Sequence, residues 1–222
     1  MIPITELFDL SHTLAGTHLA TLHAPWDVLC DMEALLHTLG GELPTTQYFS
    51  PKEGVWIHRS ASVAHGACIH APCIIGEGSE IRHNAYIRGA ALIGKGCVIG
   101  NATEIKNAIL FDGVQVPHYN YVGDSILGYR AHLGAGAIIS NVKGDRSPVS
   151  VCLDGGRIPT GRKKLGALLG DDVEIGCGSV LNPGTIVGRA TRVYPLCCVR
   201  GTLPPASILK SDGTLVPQQI RG

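Results

Sequence analysis

Every sixth residue from Ile57 to Phe111 is large and apolar: Ile57, Val63, Ile69, Ile75, Ile81, Ile87, Ile93, Ile99, Ile105 and Phe111. Glycine often follows directly, as at Gly76, Gly94 and Gly100. A period of six matches neither the repeat of a helix nor the alternation of a half-buried strand. It matches short strands laid along the sides of a coil, each turning one aliphatic side chain inward. Such a coil buries its inner face only by stacking on its neighbours, which is the logic of a parallel β-helix. Three hexads per coil predict a triangular prism in which residues 18 apart lie above one another. Buried parallel strands of an α/β protein would need helices between them, and the hexads leave no room for any.

Beyond Phe111 the apolar positions continue at Val116, Val122, Leu127, Leu133 and Ile139, with five-residue steps among them. This slip brackets residues 116–125 and predicts a bulge, a feature that gathers near functional sites. From Ser140 to Lys164 the pattern stops. Gly144, Pro148, Gly155, Gly156, Pro159 and Gly161, with Lys143, Arg146, Arg157, Arg162, Lys163 and Lys164, predict a basic loop or hairpin over 140–164 that projects from the prism. The hexads resume at Leu169, Ile175, Leu181, Val187 and Val193. They are expected to end near Pro204-Pro205, leaving an extension over 205–222 with a turn at Ser211-Asp212-Gly213.

Residues 1–50 have a different pattern. Asp27 can cap a helix whose apolar stripe is Val28, Leu29, Met32, Leu35, Leu36 and Leu39, ending at Gly40-Gly41. A shorter helix is expected within 11–22. This segment is too small for a core of its own, so it is expected to cover the open end of the coil or a neighbouring subunit. The β-helix itself is assigned to 51–204.

Composition fits a solenoid. Of 222 residues 29 are Gly, 5% are aromatic and 16% charged, with a formal net charge of zero. The charge balance gives no field for nucleic acid. No apolar run is long enough to span a membrane, and Met1–Leu10 lacks a basic-then-apolar leader. A cytoplasmic protein is expected, with Cys30, Cys68, Cys73, Cys97, Cys152, Cys177, Cys197 and Cys198 reduced. They form no CxxC pair, so no metal is expected.

Candidate chemistry gathers around residues 88–121. Arg88 and Lys106 are 18 apart and are expected to stack on adjacent rungs, about 4.8 Å apart. Two like charges so close suit a shared anion such as a phosphate; long side chains splayed into water are the bland alternative. Glu104 lies on the same side of its strand as Lys106. His118 lies within the slip near Tyr121, and an imidazole can accept a proton near neutral pH.

These residues carry a resemblance. The runs Glu104-Ile-Lys-Asn-Ala, Val116-Pro-His-Tyr-Asn-Tyr-Val-Gly-Asp-Ser, Leu133-Gly-Ala-Gly with Asn141, and Gly161-Arg-Lys-Lys-Leu-Gly-Ala are similar to a known family. It is the acetyltransferase domain of bifunctional sugar-1-phosphate nucleotidylyltransferase/glucosamine-1-phosphate N-acetyltransferases, in particular the archaeal-type relatives. The resemblance covers roughly residues 55–204. It implies a mainly β fold, a left-handed parallel β-helix of hexapeptide repeats, working as a homotrimer with active sites between subunits. It further implies transfer of an acetyl group from acetyl-CoA to an amino-sugar 1-phosphate. His118 would be the catalytic base, and Arg88, Glu104, Lys106, Tyr121 and Lys164 would hold the substrate. Ala135, Asn141 and Cys177 fall at cofactor contacts, although Cys177, Cys197 and Cys198 also read as small core or corner residues. No Ser or Cys need be acylated. Backbone N–H groups of Leu133–Gly136 are expected to stabilise the oxyanion.

The chain departs from that pattern at four positions. His132 stands where the family has a sugar-binding Asn, Val142 where bacterial members have Tyr, and Ser147 and Ser150 where archaeal-type relatives have lysines. The Gly-Thr-Arg loop and Pro-Lys of a nucleotidyltransferase half are not found, so acetyl transfer without that half is expected. Two other readings stay open. One is a non-catalytic trimer that binds a nucleotide sugar or a partner. The other is a zinc carbonic anhydrase-like β-helix, suggested by His65 and His70 but lacking a third suitable His.

Overall fold

In the computed structural model, which describes residues 2–153 and 155–218, the hexads wind into a three-sided parallel β-helix. The first face stacks Val55–His58, Cys73–Ile75, Ala91–Ile93, the second half of Glu104–Leu110 and of Tyr121–Leu127, then Ala167–Leu169, Thr185–Val187 and Thr202–Leu203. The second face stacks Cys68–Ile69, Tyr86–Ile87, the first halves of the same two long strands, Ile138–Ile139, Val180–Leu181 and Cys198–Val199. The third runs from Ser62–Val63 through Val98–Asn101, Gln115–His118, His132–Leu133 and Glu174–Ile175 to Ser207–Leu209. Ile75, Ile81, Ile87, Ile93, Ile99 and Ile105 line the core and are almost wholly buried.

The change of coil length comes earlier than the sequence suggests. The inward residue after Ile105 is Leu110, which pairs with Ile93; Phe111 turns outward and packs on Phe8, ring centroids 5.2 Å apart. A second short step, from Val122 to Leu127, falls at the same corner one coil on. Each is made by a single strand, Glu104–Leu110 or Tyr121–Leu127, that turns from the second face onto the first. Asn107 and Asp124 occupy these corners with φ of +49° and +50°, a left-handed conformation that Asn and Asp tolerate better than most residues. Coils here are therefore 17 residues long, as in the pairing of Glu104 with Tyr121 and of Gln115 with His132.

The N-terminal segment differs most from expectation. A 3₁₀ turn covers Pro25–Cys30 and the helix begins only at Met32, behind Asp31. It continues through Gly40 and Gly41 to Glu42, because Gly40 is pressed against the Trp56 indole, where a Cβ would stand 2.4 Å from the ring. Among the described residues the segment leaves the first turn uncovered, where Val63 keeps 41% exposure. Instead Leu7, Phe8, Leu19, Leu29, Met32 and Leu36 pack along the outside of the first face. Each strand there carries an outward aliphatic, Ile74, Leu92, Ile109, Ile126, Leu168 and Ile186 in successive coils, and this column makes the second core. At the other end the coil runs past Pro204-Pro205. Ser207–Leu209 still pairs with Arg192–Val193, and Leu215–Pro217 folds back on it antiparallel through the turn at Gly213.

Candidate active site

Because the second face is flat, its outward side chains form two columns. One holds Cys68, Tyr86, Glu104, Tyr121, Ile138, Val180 and Cys198 in paired register. Two residues along each strand, Arg88 lies level with Lys106, and Lys106 pairs with Gly123. Neither cation is left without a counter-charge. Arg88 Nη1 donates to Glu104 Oε1 at 2.7 Å, while Lys106 Nζ lies 3.4 Å from Asp124. In place of the shared anion expected from the 18-residue spacing, each cation has its own carboxylate, supplied by a neighbouring rung.

Asp124 is the centre of this region. Its side chain is only 3% exposed, and it accepts from Lys106 Nζ, from Asn107 Nδ2 at 2.8 Å and from Asn141 Nδ2. Asn141 also donates to the Tyr121 hydroxyl at 3.1 Å. Gly123 leaves room for this contact, since a Cβ there would stand 2.4 Å from that hydroxyl oxygen. Burial, then the charges of Asp124 and Glu104, push the Tyr121 phenol above its ordinary pKa, so it stays protonated and able to donate. Sequence reading missed Asp124 and Asn107. Asn107, Asp124 and Asn141 are spaced by 17, so only a 17-residue coil aligns them at one corner; counting by 18 does not.

The opposite edge of the second face, where it meets the third, carries a different ladder. Gly136 N–H donates to the His118 carbonyl at 3.0 Å, Gly178 N–H to the Ala135 carbonyl at 2.9 Å, and Leu196 N–H to the Cys177 carbonyl at 2.9 Å. His118, Ala135 and Cys177 thus lie on consecutive coils of one corner. The His118 imidazole is exposed and makes no hydrogen bond among the described residues; its main-chain N–H is held by Asn120 Oδ1 at 3.1 Å. Of the expected oxyanion donors, Gly134 N–H goes to the Ile175 carbonyl and Gly136 N–H to His118. Ala135 N–H has no acceptor among the described residues and points from an exposed position.

The sequence candidates therefore fall into groups. Arg88, Glu104, Lys106, Tyr121 and Asn141 come together around Asp124. Asn141, expected beside the cofactor, lies with these substrate candidates rather than with Ala135. Lys164 is exposed beside them, since the next residues tie back through Leu165 N–H to the Asn141 carbonyl and Gly166 N–H to the Asp124 carbonyl. His132 is on the third face, its Nδ1 2.8 Å from Glu174, whereas Tyr121 and Glu104 are paired on the second. His70 meets Cys68 Sγ at 3.4 Å and Tyr86 edge-on, and no cluster of three metal-ligating side chains forms among the described residues. The projecting loop folds as the antiparallel pair Ser150–Leu153 and Gly156–Pro159.

The fold and its ladders define a hexapeptide-repeat β-helix protein. Residues 69–203 match the family described as the GMPPB C-terminal domain, and the chain belongs to that family. It is 39% identical over 90 residues to the bifunctional sugar-1-phosphate nucleotidylyltransferase/acetyltransferase of Sulfurisphaera tokodaii, a match covering 40% of this chain and 22% of the relative. It is 32% identical over 111 residues to the bifunctional protein GlmU of Methanococcus maripaludis, covering 50% of this chain and 27% of the relative. The match thus spans about a quarter of the length of each of these curated relatives. Among solved structures, the acetyltransferase domain of PglB from Neisseria gonorrhoeae in complex with acetyl coenzyme A aligns with a TM-score of 0.37 and 18% identity. That alignment covers 75% of this chain and 58% of that one. No helix among the described residues is long and apolar enough to cross a membrane.

Proposed function

We propose that the protein is an acetyl-CoA-dependent N-acetyltransferase acting on an amino-sugar 1-phosphate, glucosamine- or galactosamine-1-phosphate, in a homotrimer with sites between subunits. The observation that carries this reading is the pairing of an exposed imidazole, His118, with a free backbone N–H, Ala135, on adjacent coils of one corner. Acyl transfer to an amine needs both groups: a base for the amine's proton and a donor for the oxygen that becomes negative.

The amino group reaches the site neutral, having lost one proton to solvent; its lone pair adds to the thioester carbonyl as His118 takes a second proton from the same nitrogen. Ala135 N–H donates to the resulting oxyanion. The C–S bond breaks as the carbonyl re-forms, and the CoA thiolate leaves with the proton returned by the imidazolium. Cys177, on the coil beyond Ala135, lies along the path of the pantetheine arm. Arg88, Lys106 and Lys164 receive the sugar phosphate, with Tyr121 and Glu104 beside the ring. Lys106 is already neutralised by Asp124, so the phosphate enters as a third partner of an existing pair. His132 lies on the third face, and in the trimer it reaches the sugar bound at a neighbouring subunit's site.

Incubation with acetyl-CoA and each amino-sugar 1-phosphate, followed by chromatographic detection of free CoA and of the N-acetylated sugar, tests the reading. Binding of these ligands without CoA release would mark a non-catalytic binding protein instead.

A further inference from the structure

The free positive charge of the second face lies away from Arg88 and Lys106, which both have carboxylate partners. Further along the same column Arg200 is exposed and makes no ion pair among the described residues. The hairpin of the projecting loop brings a second guanidinium to this level. Arg157 is the register partner of Cys152, whose carbonyl accepts the Thr202 hydroxyl and whose Cβ lies 3.8 Å from the position of a Cβ on Gly201. Arg157 is also exposed and unpaired among the described residues. Lys143 completes the set. Its ammonium donates to Ser147 Oγ at 3.2 Å and the Pro148 carbonyl at 2.9 Å, which leaves one N–H free.

These three cations line a groove of about 570 Å³ between the hairpin and the later coils. The one acid on its wall, Asp145, is engaged by Ser147 through N–H at 3.0 Å and Oγ at 2.8 Å. Gly144 leaves bare backbone at the surface and Gly201 is half-buried, while the Ser140 and Ser150 hydroxyls have no partner among the described residues. No aromatic ring lines the groove, so nothing there stacks on a base. Three cationic donors against one engaged carboxylate match a ligand with two adjacent negative charges, and guanidinium forks suit phosphate oxygens. The volume is that of a site for a whole small ligand rather than a single ion.

We propose that this groove binds the diphosphate group of a nucleotide-bearing ligand, through Arg157, Arg200 and Lys143. Two molecules offer that chemistry, coenzyme A and a nucleotide-linked sugar. The proposal goes beyond the acetyl-transfer reading and does not depend on His118.

Inorganic pyrophosphate is the first probe, titrated calorimetrically at low ionic strength. The parent protein should bind it saturably, more weakly as salt rises. Arg157→Ala and Arg200→Ala should each bind about tenfold to a hundredfold more weakly, with unchanged unliganded melting temperatures because both side chains are exposed. Arg82→Ala, on the third face and paired with Glu80, should bind as the parent does. CoA and UDP-glucose are then titrated against the same variants. Weakening of CoA alone identifies the cofactor as the source, weakening of UDP-glucose alone the nucleotide sugar, and either supports the site. Three results overturn it: no saturable pyrophosphate binding, loss of binding in Arg88→Ala but not in the groove variants, or variants that bind CoA and UDP-glucose as tightly as the parent. Pyrophosphate binding through Arg157 and Arg200 in a protein that releases no CoA would sink the catalytic reading and leave this one standing.

Discussion

The ammonium of Lys106 lies 3.4 Å from the carboxylate of Asp124, one coil further along the prism, and Asp124 is all but sealed from solvent. Breaking a buried pair by removing one member typically costs about 3–5 kcal/mol; Lys106 is 26% exposed, which favours the lower end of that range. Asp124→Ala strips an acceptor from Lys106, Asn107 and Asn141 at once, whereas Lys106→Ala leaves Asp124 with two amide donors. The first variant should therefore lose more stability in urea denaturation than the second. The reverse order would mean that Asp124 is not the hub.

The His118 side chain is exposed and makes no hydrogen bond among the described residues, so its removal should affect rate alone. His118→Ala should lower CoA release by about two to four orders of magnitude, with circular dichroism and melting temperature unchanged. Wild-type turnover in the variant would remove the base from the mechanism.

The outward aliphatic column makes the head part of the fold rather than an appendage. Phe111→Ala opens a void against Phe8 and should cost about 3–5 kcal/mol. Loss of the aromatic contact should also speed proteolytic release of residues before Pro44. A variant with parental stability and protease resistance would show that the head adds little.

Cys73 and Cys97 give the pH dependence its sign. Burial pushes both thiols from an ordinary 9.0 up to about 12. Unfolded thiols therefore ionise first, and each contribution, roughly 4 kcal/mol at most, is present below pH 9 and lost as pH rises from there toward 12. Urea midpoints across that range should fall steeply for the parent and less steeply for Cys73→Ala/Cys97→Ala. Equal slopes would deny the coupling.

Cys198 is shifted the other way. The Asn182 amide, 3.3 Å from its sulfur, and then Arg200 favour its thiolate. Iodoacetamide near neutral pH should modify Cys198 before Cys177, which is also exposed, as read by peptide mass spectrometry, and Arg200→Ala should narrow the gap. Preferential modification of Cys177 would contradict the assigned environment.

How far the sequence could be read followed the physics of each part. The coil was legible because one inward aliphatic per hexad is a local, repeated demand, and Ile75 through Ile105 meet it without exception. Phe111 misled because its size and position fit the repeat, whereas the backbone had already shortened at Asn107, where a left-handed residue replaces two. The helix start misled because Asp27 is an acceptable cap locally, whereas burial of Pro25, Trp26, Val28 and Leu29 holds that stretch as a 3₁₀ turn. The outward column of Ile74, Leu92 and Ile109 sits directly beside inward positions in the sequence, and nothing local says that these side chains meet a partner. In the site, Arg88 and Lys106 were found by register, and Glu104 by its place two residues before Lys106. Asp124 was not, because its neighbours depend on a coil length that cannot be known before the corner is seen.

The closure beneath the projecting loop has an evolutionary reading. Asn141 and Leu165 are joined by a main-chain hydrogen bond, and Gly166 is held by the Asp124 carbonyl, so the two stems of the excursion meet where an uninterrupted coil would simply have continued. Stacking above and below is indifferent to what hangs between them: Ile138 pairs with Val180 across the gap as neatly as Val180 pairs with Cys198 without one. The scaffold thus offers a socket in which the excursion can lengthen, shorten or change its charge by inheritance without renegotiating the prism. Ligand preference can drift here while the architecture stays fixed.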